Sequence, residues 1–175
     1  MSATAAPLAV SDRTIGTLQL GFLTVFHEAN GYLGGYLAVN GWGRPLEFRL
    51  TSAVQPNRVQ QILYGGTLEA YVCADLIGKT LVEKAGVAVQ LVVTDREEVL
   101  DLRLKLDVPV AWLTPPAPAE TVRGRRPFRC HPRFDDTAAI NDILERLDGA
   151  FDLAEPFQRI REAIGEARKM GVAAR

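Results

Sequence analysis

Along residues 18–27, Leu18, Leu20, Phe22, Thr24 and Phe26 alternate with Gln19, Gly21, Leu23, Val25 and His27. Successive side chains of a strand point to opposite faces, so this spacing predicts a strand with one strongly apolar face and one mixed face. Asn30-Gly31 follows, a dipeptide suited to a tight hairpin because both residues tolerate positive φ. A second strand is expected over 32–40, where the paired Gly34-Gly35 suggests a bulge or a close backbone approach. Gly41-Trp42-Gly43 turns the chain again. Leu46, Phe48 and Leu50 then alternate with Glu47, Arg49 and Thr51, which predicts a third strand with Phe48 and Leu50 in the core.

The period changes next. Pro56-Asn57 opens a short helix through Val59, Ile62 and Leu63 that stops at Gly65-Gly66. Thr67 is expected to cap a longer helix over 68–85, with Leu68, Tyr71, Val72, Leu76 and Thr80 at helical spacing and Gly86 as its terminator. The β-branched run 87–94 reads as a strand covered on both faces. Residues 95–107 carry two opposed signals. Thr94-Asp95-Arg96-Glu97 matches a capping box, whereas Leu100, Leu102, Leu104 and Leu106 alternate with Asp101, Arg103, Lys105 and Asp107 as in a half-exposed strand. Residues 108–113 form a strand in either case. Two apolar stripes close the chain: Ile140, Ile143, Leu144 and Leu147, then Phe157, Ile160, Ile164 and Ala167 behind the capping-box pattern Asp152–Glu155.

The expected class is α+β: a three-stranded antiparallel meander, a helix, further strands in a mixed sheet, and two C-terminal helices. The expected divisions are a flexible tail (1–13), an α+β core (14–113), a Pro/Arg-rich linker (114–126) and a helical extension packing on the core (127–175).

Composition narrows the chemistry. The 175 residues carry 20 basic and 21 acidic side chains, a net charge of −1, so no global field draws in nucleic acid or membrane. Cys73 and Cys130 are too few for a disulfide framework, and Cys73 reads as a buried, inert thiol. His27, read as a structural histidine, and His131 are the only histidines, which leaves no His-rich metal site. No metal and no cofactor are expected. No apolar run reaches the ~18 residues of a membrane span, and the first residues lack a signal-peptide pattern, so a cytoplasmic protein without membrane contact is expected.

With 95–107 helical, the element order strand-strand-strand-helix-strand-helix-strand resembles the ribonuclease H-like fold over residues 14–113. That resemblance implies acidic residues on the first strand, the first helix and the end of the fourth strand, together holding two divalent cations. Asp95 takes the last of these places, Asp75 or Glu69 the helical one, and Asp135 or Asp136 adds a third carboxylate. The first strand departs from the pattern: it has no central aspartate, and only Glu28 stands near its end. Without that carboxylate the two-metal clamp on an attacking water lacks a bridging ligand. The leading expectation is therefore a non-catalytic binding or assembly module with another protein as partner, and Trp42 between its two glycines as a contact anchor. A metal-dependent nuclease using Asp75, Asp95 and Asp135 is the alternative.

Arg123, Arg125, Arg126, Arg129 and Arg133 form the densest charge feature. Guanidinium forks suit phosphate oxygens, and Phe128 or Phe134 offers a face for a base, so residues 123–133 are a candidate polyanion or nucleic-acid contact. In the plainer reading these arginines pair with acids of the C-terminal helices. Tyr64-Gly65-Gly66-Thr67 lacks the lysine and spacing of a phosphate-binding loop and reads as helix punctuation.

Overall fold

The computed structural model describes residues 16–115, 127–147 and 150–171. Its six strands are β1 (Gln19–Glu28), β2 (Gly31–Asn40), β3 (Pro45–Leu50), β4 (Leu91–Thr94), β5 (Val110–Leu113) and β6 (Phe128–Arg129). They lie in the order β3-β2-β1-β4-β5-β6. The first three strands run antiparallel as a meander, β4 and β5 run parallel to β1, and β6 returns antiparallel. The class is α+β with a mixed sheet, and the element order is the one that suggested the ribonuclease H-like resemblance.

Helices cover both faces. After α1 (Arg58–Tyr64) and a 3₁₀ turn, three consecutive segments run on as one helix, α2: Leu68–Ala70, the π-wound Tyr71–Gly78, and Lys79–Lys84. A 3₁₀ helix (Glu97–Lys105) joins α2 on one face, where Val72, Ile77 and Leu102 pack against Leu23 and Val25 of β1. On the other face α3 (Thr137–Arg146) and α4 (Glu155–Lys169) bring Ile140, Phe157, Ile160 and Ile164 against Leu20 and Phe22. The face of β1 read as mixed is thus as deeply buried as the apolar one, because β1 is central and sandwiched.

Gly34 and Gly35 explain how β2 is covered so closely. A Cβ on Gly34 would lie 2.1 Å from Ile77 Cγ2 of α2, and one on Gly35 would lie 2.4 Å from Ile160 Cγ2 of α4. The close approach predicted there is made by helical side chains, and the register shift lies further on, between Ala38 and Val39. At the hairpin, Glu28 pairs with Gly31, so the loop residues are Ala29 and Asn30 instead of Asn30 and Gly31. Gly31 has φ +118°, and a Cβ there would meet the Val54 carbonyl oxygen at 2.5 Å.

Several expectations are corrected. Phe48 and Leu46 are 38% and 41% exposed, and Leu50 is only partly buried, so the cleanest alternation in the chain does not mark core. The reason is positional: α4 packs on β1 and β2, and β3 is the outermost strand. The run 87–94 yields a strand only at Leu91–Thr94, fully buried as expected. Thr67 does not cap α2; its hydroxyl donates to the Tyr64 carbonyl oxygen at 2.6 Å. The helix ends at Ala85 in an extended conformation, and the Gly86 N–H is bound by the Glu47 carboxylate at 2.9 Å. The Val87 N–H and Arg49 Nε donate to the same carboxylate at 3.1 and 2.7 Å, and these bonds, led by that from Gly86, hold Glu47 below the usual carboxylate range.

Residues 95–107 are helical, but not through the capping box. The Thr94 hydroxyl accepts the Arg96 N–H at 3.1 Å, and Arg96 itself opens the 3₁₀ turn with no side-chain cap. Val99, Leu100 and Leu102 turn inward, while Leu104 is left exposed, so the leucine alternation dissolves. Asp152 likewise accepts the Ala154 N–H at 3.1 Å in a local turn ahead of α4. Strand β6, paired to Trp112 and Leu113, lies in a stretch where no strand was expected.

Candidate functional site

Because β1 and β4 run parallel, pairing Leu23 with Thr94, the carboxyl end of β4 opens beside Thr24 in the middle of β1, which runs on to Glu28. Open sheets with parallel strands place ligands beyond such ends. Thr24 and Asp95 stand there. Thr24 is buried, and its hydroxyl donates to Asp95 Oδ1 at 2.7 Å. Arg161 of α4 donates through Nη2 to Asp95 Oδ2 at 2.5 Å. Its guanidinium also lies 5.6 Å from the Phe26 ring centroid. Both carboxylate oxygens are therefore occupied by protein donors.

Glu28, at the end of β1, is held the same way. Arg168 donates to its two oxygens at 2.9 and 2.5 Å, and this hydrogen-bonded guanidinium keeps the carboxyl below the usual range. Arg161 and Arg168 are seven residues apart (168 − 161), about two helical turns, so they share one face of α4. One helix thus sets a cation against each carboxylate at the ends of β1 and β4.

The other face of the sheet carries a second charged group. Arg96 donates through Nε to Glu98 at 3.2 Å and through Nη1 to the Val25 carbonyl oxygen at 3.4 Å, and it lies 3.9 Å from Glu69 of α2. Burial works against ionisation of Glu98, but its own backbone N–H and Arg96 outweigh it and leave the carboxyl below its usual range. Arg96 ties β1, α2 and the 3₁₀ helix together. Cys73 nearby is fully buried, which pushes its thiol up to about 12, too high for a nucleophile at neutral pH.

Asp75, Asp95 and Asp135 are not brought together. Among the described residues no three His, Cys, Asp or Glu side chains converge as a metal ion requires. Asp136 pairs with Arg103 at 2.8 Å, and that guanidinium lies 3.8 Å from the Phe134 ring centroid. Phe134 thus has one face covered by a cation and a T-shaped contact with His131, and Phe128 packs on the core. His131 is buried: Nδ1 accepts the Arg133 N–H at 3.1 Å, so Nε2 carries the proton and donates to Asp101 at 3.2 Å. His27 stacks on Tyr32 at 4.1 Å.

Arg129 and Arg133 are exposed, and neither side chain has an ion-pair partner among the described residues. Arg123, Arg125 and Arg126 lie outside the described residues. Trp42 is 49% exposed at the β2–β3 turn. Sequence reasoning missed Thr24, Arg161 and Arg168. A signal for the first existed: Thr24 is the polar member of an otherwise apolar alternating face. The two arginines carried none, because only the docking of α4 brings them to the strand ends.

Among the described residues no helix is long and apolar enough to cross a membrane. No family model matches the chain, and no curated protein matches it. Among solved structures, the chain is similar to Marinitoga piezophila Argonaute, solved in complex with a 5′ OH guide RNA. The likeness has 14% identity and a TM-score of 0.32, and it covers 57% of this chain and 16% of that one.

Proposed function

We propose that the protein is a non-catalytic binding module whose partner is another protein. One observation carries this reading: Thr24 and Arg161 occupy the two carboxylate oxygens of Asp95 at the end of β4, where a metal-dependent nuclease needs them free. A guanidinium fixed at that distance supplies the positive charge that a divalent ion would otherwise bring. Apolar surface supports a protein partner. Val59, Ile62 and Leu63 of α1 are 64–77% exposed, and Trp42, Leu46 and Phe48 are exposed near β3.

The test is a melting experiment in Mn²⁺ or Mg²⁺ with a parallel nuclease assay. A specific site at a hundredfold its Kd adds about 2.7 kcal/mol, several degrees of Tm for a chain of this size. The expected result is no saturable shift and no cleavage. A saturable rise with cleavage of RNA or DNA would overturn the reading.

A polyanion contact is the second reading, favoured by Arg129 and Arg133, exposed and without an ion-pair partner among the described residues. Replacing both with Gln should weaken retention of labelled oligonucleotides on filters and leave the melting temperature unchanged. Retention by the unaltered chain should fall steeply between about 50 and 200 mM salt, because phosphate contacts release counterions. Retention that ignores salt, or none at the lower salt, removes nucleic acid from the partners.

A further inference from the structure

A groove of about 300 Å³ lies between the outer side of the sheet and α2. Val54, Leu76 and Leu81 give it an apolar part, Thr51, Ser52 and Thr80 a polar one, and Arg49 and Lys84 put two cations on it. No acid lines it. Lys84 is exposed and has no side-chain partner among the described residues, and Arg49 spends only Nε on Glu47, leaving both terminal nitrogens of its guanidinium unused.

The two ends of the groove differ. Val54 bridges to Tyr32 at one end, next to the Leu76 turn of α2. At the other, Glu47 spans from β3 to the Gly86 and Val87 N–H groups just past Lys84, so a clasp closes the cationic end. One wall is a strand edge. Among the described residues β3 pairs with β2 alone, and Thr51 donates its N–H to the Gly34 carbonyl oxygen at 2.9 Å. Alternate residues of an antiparallel ladder turn their backbone groups toward the partner, so Phe48 and Leu50 turn theirs outward.

From this arrangement we infer that the groove binds the carboxyl-terminal end of an extended peptide, which adds a strand to the edge of β3 and sets its terminal carboxylate between Arg49 and Lys84. Main-chain bonds to the free edge supply affinity, and the apolar part formed by Val54, Leu76 and Leu81 takes an alternate side chain of the peptide. The carboxylate matches the two cations, and the Glu47 clasp stops a chain from running on past them. This rests on the protein-binding reading above, whose own test is the metal experiment.

The probe is a random octapeptide library displayed with free carboxyl termini on the full chain as bait. A selected peptide is then synthesised as free acid and as amide and titrated by fluorescence anisotropy. The free acid should bind at least about tenfold more tightly than the amide, since a charge-assisted contact is lost. Lys84→Glu should abolish that preference with an unchanged melting temperature, because Lys84 is exposed and has no side-chain partner among the described residues. Titration of ¹⁵N-labelled protein should shift the Phe48 and Leu50 amides. No selected peptide, equal binding of acid and amide, or indifference to Lys84→Glu would each overturn the inference. If the chain also ignores Mn²⁺, only the groove assignment falls; if Mn²⁺ stabilises it and it cleaves nucleic acid, the binding-module reading falls too.

Discussion

Replacing Gly34 with valine is expected to cost at least about 3 kcal/mol, the upper part of the range for overpacked cores. The first carbon of any side chain there would sit 2.1 Å from Ile77 Cγ2 and 3.2 Å from Leu81 Cδ1. Ile77 is β-branched and held at χ1 within a helix, so it cannot swing away cheaply. Valine has better strand propensity than glycine and restricts the unfolded chain, but these gains amount to at most about 1 kcal/mol each. The clash therefore wins. Gly35→Val should behave alike for the opposite reason of face, since Ile160 of α4 stands 2.4 Å from its would-be Cβ. Urea unfolding monitored by circular dichroism checks both, and a loss under about half a kcal/mol for Gly34→Val would mean that α2 does not lie on β2 as described.

Truncating Phe22 to alanine should cost about 3–5 kcal/mol, a large share of the ~5–15 kcal/mol that holds a domain folded. Phe22 is fully buried in the centre of β1 and meets Phe157 and Phe151 edge-on, with ring centroids at 5.5 and 6.1 Å. Removing the ring leaves a cavity bounded by two elements that approach from different directions, so it cannot close easily. Phe48→Ala is the matched control. Its ring is 38% exposed on the edge strand, and its loss should cost under about 1 kcal/mol. Equal losses for the two would contradict the assignment of β3 to the edge.

That pair of phenylalanines shows where local pattern stops being informative. Both sit in alternating runs, and the run around Phe48 is the more regular. Alternation reports that one side of a strand is apolar. It does not report whether a helix will reach that side, which depends on where the strand falls in the sheet. The leucines of 100–106 make the same point. Their spacing is a strand's, yet the 3₁₀ helix there buries Leu100 and Leu102 and leaves Leu104 out, because α2 offers a surface against which Leu102 meets Gly78.

By itself the sequence determined the α+β class, the three-strand meander, the existence of α1 to α4 and the buried, unreactive Cys73. These follow from periods of 2 and 3.6 and from turn residues, all interactions between near neighbours in the chain. The candidate site was legible only in part: Asp95 was placed at the end of β4, where it stands, while the pattern left the exposure of Trp42 open. Only the tertiary structure decided what Asp95 does. Its partners Thr24 and Arg161 lie 71 and 66 residues away, and the Glu28–Arg168 pair spans 140. Contacts of that separation are set by how α4 docks on the sheet, and that docking depends on Gly35, whose missing side chain lets Ile160 approach. No window along the chain contains it.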